Sequence, residues 1–507
     1  MSVPLWLAKS GATAPGVPTD LRMKLAVRAA HDLSGLGRDR EAIAVLHAAA
    51  ARIGGSAGTE LRAIASERSL NIGEIPSGLD EQLQAILDLA DVAPSIDDRT
   101  RLIGRAVAIA FHRLRHLDSP YSALADNPET FLKPFRNSAA WQALTRARRP
   151  DHQAANAAGA RKVAVVVDDD IRFLEPMMAA IREVDPTIDF RVIQLRKWAS
   201  KHSYKLPLNP HEQIHARANP HVANEPWAMA LHQELAGADI VWVEWCQRAA
   251  VLVSLLDLAP RRIVIRLHSF EAFTVFPHLV DPSSVDALVT VSPTFRKLIG
   301  VLTPDLDDRT TFVPNAIDLR GIGREKTSTA PRTLGLVGWA APAKDAVWAL
   351  DVLDLLRRDD DQWTLHLVGA PPDPNRSAGE AAYAHRVTAR LEERGAAVTQ
   401  SGQVTDVAAE LAKIGVILSS STRESFHVAL AEGIASGARP VVRDWPMLSK
   451  FGGAATTWPA EWIVQTPDEA AALITTTAAP AESTAYLPDR LDAASAMIAV
   501  LRGTIVQ

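Results

Sequence analysis

The spacing of hydrophobic positions changes about one third of the way along the chain. From about residue 20 to 145 these positions recur at intervals of three and four, which is typical of amphipathic helices. The clearest runs predict helices over residues 21–36, 40–53, 79–92 and 97–117. Gly35 and Gly37 fall between the first two runs and indicate a helical hairpin. We therefore expect an all-α N-terminal domain over residues 1–150.

Beyond residue 160, short apolar runs rich in β-branched residues alternate with helical stretches. A first series predicts strands at 163–167, 190–195, 240–243, 263–267 and 287–291, and a second at 334–337, 364–368, 398–400, 416–418 and 440–442. Such alternation favours parallel, doubly wound sheets. The predicted fold class is α/β, with two Rossmann-like domains over residues 160–325 and 326–507. The polar, alanine-rich residues 146–160 are expected to form the linker.

Composition and charge narrow the class of protein. Of the 507 residues, 47% are hydrophobic and 22% charged, which is ordinary for a soluble globular protein, and the net charge of −5 argues against a general nucleic-acid binder. The single cysteine, Cys246, rules out an intramolecular disulfide and suits a reducing cytoplasm. The N-terminus has no basic region followed by an apolar one, so we expect no secretion signal, and no apolar run reaches the ~18 residues of a membrane span. We expect a cytoplasmic protein, with a peripheral membrane contact left open.

The most informative segment lies at residues 424–437, after a predicted buried strand and a serine-rich turn. Its first residue, Glu424, is predicted to open a helix, and Glu432 follows eight positions later. The first turn of a helix leaves backbone N–H groups without partners, and the helix dipole favours negative charge there. The segment therefore predicts an anion site bracketed by two carboxylates. The structural alternative is a solvated helix start with acidic residues in its first turns.

This segment resembles the donor-binding motif of retaining glycosyltransferases of the GT-B fold, in particular the large family 4. The resemblance implies that Glu424 lies beside the transferred sugar and that Glu432 holds the ribose hydroxyls of the nucleotide. It also implies that the backbone amides after Glu424 meet the diphosphate, at Ser425, Phe426, His427 and Val428. The resemblance covers about residues 160–480 and further implies that the last helix, at 489–502, returns to the first Rossmann-like domain.

Further segments match the same family in order and spacing. Residues 313–318 are similar to its interdomain signature, with Ala316 in place of glycine. Gly338 and Lys344 match the loop that neutralises the diphosphate, and Gly369 matches a strand end beside the nucleotide. Val404 closes a turn that usually lies under the base. His268, at the end of a predicted strand, resembles the family's histidine facing the donor sugar, although an isolated histidine there is more often structural. Lys344 outside this context would be a surface lysine.

Two positions depart from the family pattern. The family's arginine position, directly after Gly338, holds Trp339, which cannot make the bidentate phosphate contacts of an arginine fork. Arg423 and Arg266 are candidates to supply the missing charge. His427 replaces a common glycine, whose small size lets the backbone approach the phosphate. His427 could crowd the site, or add a hydrogen bond or a positive charge near the leaving group.

The sequence thus predicts a glycosyltransferase that moves a sugar from a nucleotide-diphosphate donor to a glycan, glycolipid or protein acceptor. The resemblance implies retention of anomeric configuration, and the candidate catalytic residues are Glu424, His268 and Lys344. The enzyme must chiefly stabilise charge on the leaving diphosphate, which Lys344 and backbone N–H groups could do without a metal. No cofactor is expected apart from the donor substrate. The helical domain could serve acceptor recognition, a protein partner or dimerisation.

Three alternatives remain open at this stage. The departures at Trp339 and His427 would also suit a degenerate GT-B scaffold that binds a nucleotide sugar without turnover. The HExxH spacing at residues 211–215, followed by His221, would suit a zinc hydrolase, although nearby Pro207 and Pro210 leave room only for a short helix. The acids at 168–170 resemble either those of a response-regulator receiver or the metal-binding acids of the other glycosyltransferase fold. For a receiver, the interval to Glu244 is too long, and Glu244 stands where an aspartate is required.

Overall fold

The computed structural model describes residues 5–14, 16–149, 157, 159–476 and 483–504. The chain divides into two compact units. The first comprises Met1–His116, Glu129–Arg146 and Pro207–Val222, and the second comprises Leu117–Pro128, Ala147–Leu206 and Ala223–Gln507. Much of the predicted linker at 146–160 lies outside the described residues. The predicted three-domain boundaries stay a prediction.

Ten helices precede the first strand among the described residues. They are α1 (Leu5–Thr13), α2 (Thr19–Gly35), α3 (Asp39–Ile53), α4 (Gly55–Asn71), α5 (Leu79–Val92), α6 (Ile96–Ala110), α7 (Arg113–His116), α8 (Ala123–Asp126), α9 (Pro128–Asn137) and α10 (Ala139–Thr145). The predicted helices are confirmed, except that the one predicted at 97–117 ends at Ala110 and resumes as α7. The helical hairpin of α2 and α3 packs with α4 through small side chains such as Ala26, Ala30 and Ala49.

The first sheet has six parallel strands in the order β2-β1-β3-β4-β5-β6. They are β1 (Lys162–Val167), β2 (Asp189–Gln194), β3 (Ile240–Glu244), β4 (Arg262–Leu267), β5 (Ala287–Thr290) and β6 (Thr310–Phe312). Helices α11 (Leu174–Val184), α12 (Leu195–Lys201), α13 (Pro210–Ala218), α14 (Pro226–Leu235), α15 (Arg248–Ser254), α16 (Phe276–Leu279) and α17 (Pro293–Leu302) connect them. The central strands are buried on both faces, which explains their continuous apolar runs.

The second sheet repeats this plan in the order β12-β11-β10-β7-β8-β9. Its strands are β7 (Thr333–Val337), β8 (Thr364–Val368), β9 (Val398–Gly402), β10 (Val416–Ser419), β11 (Arg439–Arg443) and β12 (Ile463–Val464). The accompanying helices are α18 (Ala346–Arg357), α19 (Ala378–Arg394), α20 (Val407–Leu411), α21 (Val428–Ala435), α22 (Pro467–Thr476) and α23 (Arg490–Arg502). The predicted fold class, two Rossmann-like sheets preceded by helices, is confirmed.

The last helix returns to the first sheet, as the resemblance implied. Met497 and Ile498 of α23 share one hydrophobic core with Met177 and Ile181 of α11. Asp489 caps the start of α23 by accepting hydrogen bonds from the amides of Leu491 and Asp492. Among the helices that the structure describes, none is long and apolar enough to cross a bilayer.

Candidate functional site

The loops that follow β7, β8 and β9 lie side by side at the carboxyl edge of the second sheet. The amide of Gly338 donates to the Val368 carbonyl (2.8 Å), and the amide of Gly369 donates to the Gly402 carbonyl (2.8 Å). Gly338 and Gly369 have φ of 76° and 111°. A Cβ atom on Gly369 would lie 3.4 Å from the Gly338 nitrogen, so a side chain there would crowd the neighbouring loop. Val404, half-buried, follows in the turn after β9.

Lys344 and Glu424 meet at the same edge. Lys344 Nζ lies 2.5 Å from Glu424 Oε1, which also accepts a hydrogen bond from Ser421 Oγ (2.7 Å). Both side chains are largely buried. Burial alone would raise the pKa of Glu424, but the Lys344 charge, then His427 and the two hydrogen bonds, lower it to about 2. Glu424 is therefore a carboxylate at neutral pH.

Helix α21 begins at Val428, so the prediction that Glu424 opens the helix is wrong by four residues. His427 precedes it in the left-handed region, with φ of 63°, and this turns the chain before the helix can start. The ring of His427 is buried; its Nδ1 lies 2.8 Å from Ser419 Oγ and its Nε2 3.9 Å from Glu424 Oε1. Burial lowers the pKa of His427 to about 4, so the imidazole is neutral at pH 7.

The N-terminus of α21 presents backbone donors, but the helix starts four residues later than the sequence predicted. A helix leaves its first amides, here those of Val428 and its neighbour, without intrahelical acceptors. Glu432 lies one turn further along and therefore on the same helix face as Val428. Glu432 is half-buried and makes no side-chain hydrogen bond or ion pair with the described residues, and burial raises its pKa. An unpaired carboxylate in such surroundings is poised to accept hydrogen bonds from a ligand.

Not every predicted side chain faces this edge. Phe426 is buried, with its ring centroid 5.7 Å from that of Trp458. Trp339 belongs to the core of the second sheet: it is 1% exposed, and its Nε1 donates to the Gly369 carbonyl (3.1 Å). Ser425 is half-buried in the loop before α21. At Phe426 and Trp339, only the backbone remains to meet a ligand.

In the first sheet, His268 follows β4 and lies in a buried polar cluster. Its Nε2 is 2.7 Å from Glu244 Oε1, at the end of neighbouring β3. The rings of Trp245 and Phe173 lie against the imidazole, with centroids 4.0 and 5.0 Å away. Trp245 has φ of 71°, a strained conformation of the kind that concentrates at functional sites. Sequence reasoning considered Glu244 only in the receiver alternative and did not single out Trp245, although Glu244 ends an apolar strand beside the one that precedes His268.

The two arginines considered as replacements for the family's arginine are engaged elsewhere. Arg266 donates to Glu244 Oε1 (3.0 Å) and to Asn315 Oδ1 (2.7 Å) inside the first sheet's polar cluster. Arg423 lies over the Phe273 ring, 5.3 Å from its centroid, and donates to the Leu117 carbonyl (3.2 Å). Burial lowers the pKa of Arg423 to about 10. The contacts of Arg266 lie in the first sheet's polar cluster, whereas Arg423 also interacts electrostatically with Glu424.

The HExxH segment forms helix α13, and its side chains are used for structure. Asn209 and Glu212 make a reciprocal capping box at the start of the helix. His215 Nε2 lies 3.2 Å from Asp97 Oδ1, and a Cβ at Gly104 would meet the ring of His211. Within the described ranges, no group of three or more His, Cys, Asp or Glu residues is arranged to hold a metal ion. This geometry gives no support to the zinc-hydrolase alternative.

One comparison with known proteins found a similarity between the second sheet and a protein family. Residues 331–477 match the sequence model of the family described as glycosyl transferases group 1. The match spans most of the second Rossmann-like domain, including Gly338, Lys344, Glu424 and Glu432, but less than half of the chain. Residues 331–477 are thus similar in sequence to group 1 glycosyltransferases, and the recognition of a GT-B glycosyltransferase is confirmed. The narrower assignment to family 4 stays a prediction. A comparison of the sequence with curated proteins gave no significant match.

Solved structures with a similar fold are distant in sequence. HepE from Anabaena, solved with UDP and glucose, is 16% identical at a TM-score of 0.45, over 68% of this chain and 95% of HepE. A glycosyltransferase from Rickettsia africae is 13% identical at a TM-score of 0.43, over 68% of this chain and 93% of that protein. The pneumococcal O-GlcNAc transferase GtfA, solved with UDP and GlcNAc, is 12% identical at a TM-score of 0.42, over 55% of this chain and 60% of GtfA. These similarities are too remote to support conclusions about activity.

Proposed function

We propose that this protein transfers a sugar from a nucleotide-diphosphate donor to a glycan, glycolipid or protein acceptor, with retention of configuration and without a metal. The observation that carries the proposal is the Lys344–Glu424 ion pair at the N-terminus of α21, in a domain that matches group 1 glycosyltransferases. The Glu432 carboxylate on the same helix supplies an acceptor for ribose hydroxyls. We also propose a cytoplasmic location.

In this proposal Lys344 and the amides before and within the first turn of α21 hold the diphosphate. As the glycosidic bond breaks, negative charge grows on the departing phosphate, and preorganised donors stabilise that charge. Lys344 is paired with Glu424 in the free protein and would be shared with the diphosphate when the donor binds. Such a lysine and helix start supply positive potential without needing an ion.

Glu424 would act on the sugar as a carboxylate. With its pKa lowered to about 2, Glu424 cannot serve as a general acid at neutral pH. It can accept hydrogen bonds from sugar hydroxyls and stabilise the positive charge that develops at the anomeric carbon. His427, neutral and beside Glu424, would add a hydrogen bond and no charge.

One observation favours a second candidate, a scaffold that binds nucleotide sugars without turnover. The position of the family's arginine is filled by Trp339, which is buried, so one source of charge on the diphosphate is lost. Binding of a nucleotide sugar without release of the nucleoside diphosphate would be its signature.

The test is a thermal-shift series with UDP, GDP, ADP, CDP and their sugars, with and without EDTA. A nucleotide at 100 times its dissociation constant stabilises the folded state by about 2.7 kcal/mol, which gives a visible shift. We expect a selective shift with one nucleotide that EDTA leaves unchanged and Glu432→Ala erases, whereas Glu392→Ala, an exposed glutamate of the same domain, preserves it.

Two results would contradict the proposal. If no nucleotide shifts the melting temperature, the proposed donor site is contradicted. If the thermal shift requires a divalent cation, the proposal of a metal-free mechanism is contradicted. Release of the nucleoside diphosphate from the selected sugar nucleotide, measured on the same protein, separates the enzyme from the scaffold.

A further inference from the structure

A cavity opens beside the edge strand of the first sheet. It measures about 780 Å³, within the range of ligand pockets, and lies among α11, β2, α12 and α14. Its lining includes Ile171, Leu174, Ile193, Lys197, Trp198 and Lys201. None of these residues belongs to the donor site proposed above.

The cavity and His268 share one short loop. Strands β1 and β2 end together, with Val167 paired to Gln194, so α12 starts next to the loop that follows β1. In that loop Ile171 lines the cavity, and two residues later Phe173 stacks on the His268 imidazole. The loop after β1 therefore contacts both the cavity and the His268 imidazole.

The charges around the cavity differ from those of the chain as a whole. Residues 195–205 carry four cations and no carboxylate, although the protein has a net charge of −5. Arg196 pairs with Asp169 (3.3 Å), whereas Lys197 and Lys201 make no ion pair with any residue that the structure describes. Two acids, Glu175 and Glu234, also line the cavity, and Glu234 is paired with Arg191 (2.6 Å). The two unpaired lysines thus face one unpaired carboxylate.

Trp198 gives the cavity a fixed aromatic wall. Its Nε1 lies 3.3 Å from Glu234 Oε2, and its ring stacks on Tyr204 at 5.5 Å and 25°. Aromatic rings pack against the apolar faces of sugars, while lysines bind phosphate or carboxylate groups as compact point charges. On α12 no large apolar side chain among the described residues is exposed, so this helix lacks the anchor that insertion into a bilayer requires.

We propose that this cavity binds the non-reacting part of an anionic glycan acceptor, one that carries phosphate or carboxylate groups. Trp198 packs on a sugar ring, Lys197 and Lys201 bind its anionic groups, and Glu175 accepts hydrogen bonds from hydroxyls. The inference rests on the proposed function, because it names the acceptor class of that reaction.

The experiment measures binding of a heparin-derived tetrasaccharide, as an anionic probe, by calorimetry at 50 and 200 mM NaCl, with maltotetraose as the neutral probe. The variant is Lys197→Glu/Lys201→Glu. Its matched control is Lys162→Glu/Lys133→Glu, which reverses two exposed lysines away from the cavity. We expect at least tenfold weaker binding of the anionic probe in the cavity variant, less than twofold change in the control, and at least tenfold weaker binding of maltotetraose to the wild type.

Three outcomes would overturn the inference, and the third is an absence of tetrasaccharide binding by the wild type. One is equal binding of the tetrasaccharide by the cavity and control variants. Another is that the wild type does not bind the tetrasaccharide but binds phosphatidylglycerol vesicles, and that the cavity variant loses this vesicle binding. That result would assign the lysines to a lipid surface. Nucleotide thermal shifts on the same variants keep the two proposals apart. If a nucleotide still shifts the melting temperature but the tetrasaccharide does not bind, only the acceptor inference is contradicted. If no nucleotide shifts the melting temperature of the wild type, the proposed function is contradicted.

Discussion

His268 Nε2 lies 2.7 Å from Glu244 Oε1, and the same carboxylate oxygen lies 3.0 Å from Arg266 Nη1. Arg266 continues this chain to Asn315, in the segment that leads to the second sheet. All four side chains are buried. Glu244 contacts Nε2, and the buried Nδ1 of His268 has no hydrogen-bond partner in the described chain.

If Glu244 acts through His268, the two residues should behave as one unit. We expect His268→Ala and Glu244→Gln each to lower kcat/KM by the loss of one charge-assisted hydrogen bond, about 1.5–3 kcal/mol or roughly 10- to 150-fold. The double variant should lose little more than His268→Ala alone. Steady-state kinetics on the four proteins tests this. Additive losses would assign Glu244 to the structure around Arg266 instead.

Removal of Lys344 should leave Glu424 as an uncompensated carboxylate. Breaking a buried pair costs about 3–5 kcal/mol, and since both side chains keep some exposure we expect about 1–3 kcal/mol at pH 7 for Lys344→Met. Transfer should be abolished. Glu424→Gln/Lys344→Met should recover the stability without the activity, and urea unfolding together with a transfer assay measures both. Full activity in Lys344→Met would contradict the site assignment.

The same pair makes stability depend on pH in a defined window. The pKa of Glu424 is lowered to about 2 in the folded state, so the pair stabilises the fold fully above the ordinary glutamate pKa near 4.5. That contribution is lost as pH falls from 4.5 towards 2. Urea unfolding at intervals across this range should show a steeper decline in the wild type than in Glu424→Gln. Parallel curves would show that Lys344 does not hold the carboxylate ionised.

The sequence alone was sufficient for most of the fold. The run Lys162–Val167 and its counterparts are long, apolar and β-branched, and burial on both faces demands such runs, so the central strands could be predicted. Strands β6 and β12 could not, because three and two residues are too short to show a pattern.

The candidate site residues stay a prediction, and the orientation of several of their side chains was not predictable from the sequence. Lys344 and Glu424 are about eighty positions apart, and it was the family pattern that paired them. The start of α21 was misplaced because His427 adopts a left-handed conformation supported by its contact with Ser419, a tertiary effect. Trp339 and Phe426 occupy motif positions, yet packing draws their side chains into the interior, which local sequence does not encode.

His427 should weaken the fold in mildly acidic solution. Its pKa is lowered by burial to about 4, against an ordinary value near 6.5, so between these pH values the unfolded chain binds a proton that the folded protein does not. Stability should therefore fall as pH drops from 6.5 to 4, by up to about 3 kcal/mol. His427→Asn, which tolerates the positive φ, should flatten this decline. His385→Asn, which changes an exposed histidine, should leave the decline unchanged. Identical curves of stability against pH for the two variants would contradict the assignment of the decline to His427.

Restoring the family's arginine at position 339 should damage the protein rather than improve it. Trp339 is 1% exposed and its Nε1 donates to the Gly369 carbonyl (3.1 Å), so Trp339→Arg would place a charge in the core of the second sheet. We expect a loss of more than about 3 kcal/mol and no gain in transfer. Trp339→Phe keeps an aromatic ring and leaves the Gly369 carbonyl without its donor, at a cost of about 1–3 kcal/mol, with transfer preserved at temperatures where the variant is folded. Urea unfolding and the transfer assay compare the two. A stable Trp339→Arg protein with faster turnover would mean that this position faces the diphosphate, and that the weak point of the site is the missing arginine.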